Sequence, residues 1–266
     1  MTNIIRADIY RILRGKAIYI TFAALLALNI LVVATSQQGV IGANMGELEE
    51  SLGYDAESIQ FDGLHIAEVL YTGMDNIVYF LLPLFILVAA PMFSHGTIKN
   101  GLSCGMSRTK LYFSKLLLGS GLTLLMLLFY MATGILLATM LHGYGGATPD
   151  GYWLNIVKTC SAQLFLLLAL NCVGTFLVFT SKRTAVVNGV YIAFCLVPAI
   201  VVMALMNASP DFIKLYDYDL LGNIRKLGYM SALKTPDFIK AFATGAFYIA
   251  ASTIGGIALF KRAEIK

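Results

Sequence analysis

The chain is 266 residues long, 58% apolar and only 13% charged, with a mean hydropathy of +0.77 and a net charge of +4. An ordinary soluble domain carries roughly 25% charged residues, so a free-standing soluble globule is excluded. The basic excess is poor support for nucleic-acid binding, because the Lys and Arg residues sit where membrane topology demands them.

Residues Thr2–Lys16 read as a short lead-in helix. At about 100° per residue, Ile5, Ile9, Ile12 and Leu13 share one arc, with Arg6 flanking it and Arg11 and Arg14 opposite. Such a helix suits the inner headgroup layer, its bases toward anionic lipid or a soluble partner. A plain basic flank to the first span is the simpler alternative. Gly15 would supply the bend into the membrane.

A transmembrane helix needs about 20 apolar residues. Six stretches supply them: Ala17–Thr35, Asn76–Phe93, Leu116–Leu141, Thr159–Thr180, Ala185–Met206 and Ala241–Phe260. Barrel strands would alternate in polarity, and runs such as Leu122–Leu128 do not. The first stretch is too long for the apolar core of a cleaved signal peptide, so it is expected to stay as an anchor. Thirteen of the 19 bases fall on one side. They are Arg6, Arg11, Arg14 and Lys16; Lys99, Arg108, Lys110 and Lys115; Lys182 and Arg183; and Lys261, Arg262 and Lys266. By the positive-inside rule both termini are expected in the cytoplasm.

The first connection, Ser36–Asp75, has no Lys or Arg and eight acids. Its alternation over Gly46–Leu52 and Asp55–Leu70 suggests one or two short surface helices. The acids lack the D-x-[DN]-x-[DN]-G spacing of a calcium loop, so a solvated acidic face accounts for them more simply than a cation site. The fifth connection, Asn207–Lys240, puts Lys214, Arg225, Lys226, Lys234 and Lys240 on the expected outside, beside Asp211, Asp217, Asp219 and Asp237. A re-entrant element is expected in this connection, with Lys240 snorkelling at the start of the last span.

Cys104, Cys160, Cys172 and Cys195 show neither a disulfide framework nor a C-x-x-C metal pattern. Small residues at Gly119, Gly121, Gly134, Ala138, Ala251, Gly255 and Gly256 permit close helix packing. Asn29, Gln163, Asn171 and Asn188 read first as interhelical glue, second as substrate contacts. No Asp, Glu, Arg or His lies deep inside any expected span, which counts against an ion-coupled carrier. Pro83, Pro91 and Pro198 would kink their helices.

Enzyme signatures fail. No G-x-x-x-x-G-K-[ST] occurs. Gly119-Ser120-Gly121 has no His on a neighbouring span, since His65, His95 and His142 fall in connections. The chain is therefore expected to hold no catalytic residue, metal or cofactor of its own.

The connection between the second and third spans carries the most information. Thr97 can cap a helical turn from Ile98, Gly105 can end it, and Ser107 can cap the next helix. Ile98, Leu102 and Met106 recur at every fourth residue and give an apolar stripe beside Lys99 and Arg108. Such a stripe in the cytoplasm is a docking element for a groove on a soluble partner.

From Gly96 to Arg108 the chain matches G-T-I-K-N-x-L-S-x-G-x-S-R, and the match continues through Lys110, Tyr112 and Lys115. Here it resembles the permease subunits of bacterial type-2 ATP-binding-cassette (ABC) exporters. The Gly-rich last span and the tail from Phe260 to Lys266 are similar to that family's ending. One departure stands at Ser94 and His95, where the family often has an acid before the Gly-Thr pair.

The resemblance implies a permease dimer, of two like or two similar chains, in the cytoplasmic membrane of a bacterium. It would recruit two soluble ATPase subunits, which would hold the ATP and Mg. The coupling element would be Thr97, Ile98, Lys99, Asn100, Leu102, Gly105, Met106 and Arg108, assisted by the lead-in helix. It also implies short outer helices within Asn207–Lys240. The expected fold class is all-α: a single polytopic domain over residues 1–266, with six transmembrane helices, an N-terminal amphipathic interfacial helix and re-entrant outer helices before the last span. The cargo implied is amphipathic or hydrophobic, antimicrobial peptides first. A non-transporting sensor or scaffold and an ion-coupled carrier are the rival readings.

Overall fold

The computed structural model describes residues 2–36, 61–94, 106–148, 150–206, 209–228 and 235–262. Among them there is no strand, and six helices are long and apolar enough to cross a membrane. The chain is an all-α, multi-pass membrane protein.

Helix α1 (Thr2–Arg14) meets α2 (Lys16–Thr35), the first span, at Gly15. Gly15 is extended (φ −78°, ψ 138°), so one residue makes the expected bend. Next come α3 (Ile66–Thr72), α4 (Asp75–Ala89) and the one-turn α5 (Pro91–Ser94). The second span runs over Asp75–Phe93. Proline lacks the N–H that would continue the ladder, which is why α4 stops and α5 restarts at Pro91. Then follow α6 (Arg108–His142), α7 (Tyr152–Ser181) and α8 (Thr184–Met206). A 3₁₀ segment (Pro210–Tyr218) leads to α9 (Leu220–Gly228) and to α10 (Thr235–Arg262), which carries the sixth span.

The helices run past the apolar stretches they contain: α6 has 35 residues, about 52 Å at 1.5 Å per residue, against a hydrocarbon core of roughly 30 Å. Caps, not the membrane boundary, set its ends. Ser107 closes the start, as expected, and Gly143 (φ 82°) closes the finish. One expectation needs correction: α3 is not a surface helix, since Ile66, Ala67, Val69, Leu70 and Thr72 are all buried. It packs against α6, α7 and α9, so its apolar residues are covered on several sides. The helix expected over Gly46–Leu52 lies outside the described residues.

Helix α7 is the hub, packing on α4, α6, α8, α9 and most extensively on α10. In lipid the hydrophobic effect does not favour helix association, so close approach and polar contacts carry it. Both occur here. Gly119 faces the Asn171 side chain, Gly134 faces Leu70 and Gly256 faces Tyr112, each with no room for a methyl group. The expected glue is realised at three amides. Asn29 Nδ2 donates to Tyr130 O (3.0 Å) and Thr133 Oγ1 (2.7 Å). Asn171 Nδ2 donates to Leu116 O (3.3 Å) and Ser120 Oγ (3.2 Å). Gln163 Nε2 donates to Tyr71 O (2.7 Å) and Ile224 O (3.1 Å). Asn188 Oδ1, by contrast, is buried without a partner. Large apolar side chains remain exposed along α2, α6, α8 and α10, as a lipid-facing belt requires.

The bundle has two distinct ends. Helix α1, the start of α6 and the end of α10 meet at one, called the terminal end. At the other, the far end, Leu64 N donates to Tyr144 O (3.0 Å) and His142 Nε2 lies 3.0 Å from Val33 O.

Candidate functional site

The candidate site is the terminal end, where the chain leaves α5 at Ser94 and re-enters the described residues at Met106. Thr97, Ile98, Lys99, Asn100, Leu102 and Gly105 lie outside the described residues. Met106 is half-buried. Ser107 caps α6 as the sequence suggests, its Oγ accepting from Lys110 N at 3.3 Å.

Both flanks of residues 95–105 are held. On the incoming side, Arg11 Nη2 donates to Leu87 O and Val88 O, each at 3.3 Å. On the outgoing side, Arg108 Nη1 donates to Phe260 O (3.0 Å) and Lys261 O (2.6 Å), and its guanidinium sits 6.0 Å from the Phe260 ring centre. A cation on the last carbonyls of a helix also complements its dipole. Between these contacts, Asp8 accepts from Lys115 Nζ at 2.5 Å and from Arg11 at 3.1 Å. Asp8 is only 6% exposed and Lys115 3%. Burial penalises both charges unless they stay paired.

Aromatic rings tie the same region together. Tyr112 lies 4.8 Å from Phe179, which lies 4.9 Å from Phe260 and 5.4 Å from Phe93. The start of α6 and the ends of α5, α7 and α10 thus share one aromatic cluster.

The structure divides the expected arc on α1. Ile12 is buried with Ile18, Val88 and Leu118, and Ile5 packs beside them. Ile9 and Leu13 instead stay 41% and 54% exposed, with Arg14 stacked 4.5 Å over Tyr10. The reason is Asp8, whose pair with Lys115 rotates the helix so that its Ile5–Asp8–Ile12 face meets the bundle. Sequence reading missed the pairing of Asp8 with Lys115. The available signal was one acid alone among the bases of the lead-in helix.

The far end holds a second charged cluster. Arg225 donates through Nε (2.9 Å) and Nη2 (2.6 Å) to Asp75 Oδ2. Asp217 accepts from Lys226 and, at 2.8 Å, from Lys240. Arg225, Lys226 and Lys240 of the fifth connection are therefore matched by carboxylates, and α9 packs into the bundle, with Leu220–Arg225, Leu227 and Gly228 all buried. Burial pushes the Asp217 carboxyl up, but the two lysines outweigh it and hold it below the ordinary value. Asp219 caps α9 through Gly222 N (2.9 Å), and its burial pushes it above the ordinary value. At Asp62, burial is outweighed by hydrogen bonds from His65 and Leu64, which hold the carboxyl low.

Among the described residues no group of three or more His, Cys, Asp or Glu is placed to hold a metal ion. No protein-family model and no curated protein matches the chain.

Proposed function

We propose that the chain is the membrane-spanning permease subunit of an ABC exporter, working as a dimer with separate cytoplasmic ATPase subunits in a bacterial cytoplasmic membrane. The single observation that carries this reading is the grip on both flanks of residues 95–105. Arg11 holds the α4 side, and Arg108 and Lys115 hold the α6 side. A force applied to that connection reaches α1, α4, α6 and α10 together, which is what coupling to an external motor needs. Ile98, Leu102 and Met106 are the stripe seated on the ATPase. The exposed Ile9 and Leu13 extend the same surface or rest in the headgroups. ATP-driven closure of the ATPase pair changes the packing of the spans through differential contacts in two states. The cargo is an amphipathic or hydrophobic molecule, peptides first.

The test is co-purification. Leu102→Asp and Ile98→Asp each bury an unpaired charge at the interface. Both are expected to abolish recovery of an ATPase with the chain while leaving membrane insertion intact. Undiminished recovery with both variants would refute the assignment. An ion-coupled carrier is the second reading, favoured by the buried Asp75–Arg225 pair. It requires transport that collapses with an ionophore and persists without ATP.

A further inference from the structure

We propose that Arg11 is a removable rung for a proline hinge between α4 and α5. Seated, it holds the two helices in line; withdrawn, it frees α5 to pivot at Ala90–Pro91. Pro91 has no N–H to give to Leu87 O, four residues back. Ala90 N still donates to Ile86 O (2.9 Å), the last rung of α4, and Phe93 N reaches back only to Ala90 O (3.0 Å). Among the described residues no backbone N–H crosses the break to Leu87 O or Val88 O. The donor that stands there is Arg11 Nη2, 3.3 Å from each carbonyl and 76 and 77 residues away in sequence. Ala90 keeps helical dihedrals (φ −65°, ψ −37°), so the break is a gap in donors and not a corner in the chain.

A side-chain donor differs from a backbone rung in that it can leave. The Arg11 side chain is 39% exposed, so water can replace it without stranding a buried charge. Past the hinge, α5 is a single turn. It is held by Met92, which is buried, and by Phe93, whose ring lies edge-on 5.4 Å from Phe179. Such apolar contacts are non-directional, whereas hydrogen bonds fix an angle. Arg11 is aimed in turn by Asp8. Its Oδ1 takes the same Nη2 at 3.1 Å while its Oδ2 holds Lys115. The angle of α5 therefore follows the seating of α1 on α6, and a small shift of α1 withdraws the rung. A few residues at the end of an element, absorbing the change in angle, are the usual form of a hinge.

The test is amide hydrogen exchange on the full chain in lipid nanodiscs, read on peptides covering residues 88–94, where Ala90 and Phe93 donate on either side of the break. Local opening sets this rate. Arg11→Met leaves Asp8 paired with Lys115. It should speed exchange over residues 88–94 by about tenfold, the worth of one contact to a charged donor, and leave residues 220–228 at the far end unchanged. Pro91→Ala supplies the missing N–H and should slow exchange at the Ala90 and Phe93 amides by about threefold, the worth of one neutral hydrogen bond. Arg11→Met should then have little effect when added to Pro91→Ala. Wild-type rates in Arg11→Met overturn the hinge. So does equal acceleration with and without Pro91→Ala, which would mean that Arg11 only holds α1 down. Pro91→Ala keeps Asp8, Arg11 and Lys115 in place, so an unchanged rate in that variant also counts decisively against the proposal. No ATPase enters the measurement, so its failure and the failure of the transporter reading are separable.

Discussion

Asp8 and Lys115, 107 residues apart in sequence, meet at 2.5 Å inside the terminal end of the bundle. This pair fixes how α1 lies on the membrane-spanning helices, since Arg11, one turn on, then reaches the α4 carbonyls.

Breaking that pair should be costly. Lys115→Met leaves the buried Asp8 carboxylate with Arg11 as its remaining partner and is expected to destabilise by about 1–3 kcal/mol. The double change Asp8→Leu with Lys115→Met should recover most of the loss, because no charge is then stranded. A thermal double-mutant cycle in detergent reads the coupling. Additive losses would show that the two side chains do not act as a unit.

Glycine contacts give a graded set. At Gly256 a methyl group would meet the Tyr112 hydroxyl and ring, whereas at Gly121 it would meet open space. Gly256→Ala should cost about 1–3 kcal/mol by overpacking, and Gly121→Ala should stay within about 0.5 kcal/mol. Comparison of Tm for the two variants decides it.

The pH response should be two-sided. Asp62 and Asp217 lie below the ordinary value of 3.8, so their contribution is fully present above that value. It is lost as pH falls through their lowered native values. Asp219 lies above 3.8, so its contribution is present below that value and lost as pH rises through the raised one. Asp217→Asn should flatten the acid limb of Tm against pH. Asp219→Asn should remove the opposing decline while keeping a capping side chain. An unchanged acid limb in Asp217→Asn would contradict the ion-pair assignment.

Topology has a built-in reporter. Cys172 and Cys195 are buried and Cys160 is half-buried among the spans, while Cys104 falls in the proposed cytoplasmic connection. A membrane-impermeant maleimide should label Cys104 in inside-out vesicles and not in intact cells. Labelling of intact cells, lost in Cys104→Ser, would invert the proposed orientation.

The spans, the lead-in helix, the Gly15 bend and the Ser107 cap were legible because each is local: an apolar run, a periodicity, a turn residue. The Asp75–Arg225 and Asp8–Lys115 pairs were not, because nothing local links residues 150 or 107 positions apart. Arg225, Lys226 and Lys240 stood out only as bases on the unexpected side. Each of the three has a carboxylate partner, Asp75 or Asp217. The arc on α1 was legible as apolar but not as two faces, since the division depends on Lys115 in a different helix. Of the proposed coupling residues, Arg108 alone has polar contacts among the described residues, and its carbonyl partners on α10 left no mark in the sequence.

The uninterrupted length of α6 has a mechanical consequence. It runs from the Ser107 cap to His142 without a proline, beginning beside residues 95–105 and ending against Val33 O at the opposite surface. One stiff rod therefore joins the two ends of the bundle, and a displacement of its first turn is carried to its last without any rearrangement in between.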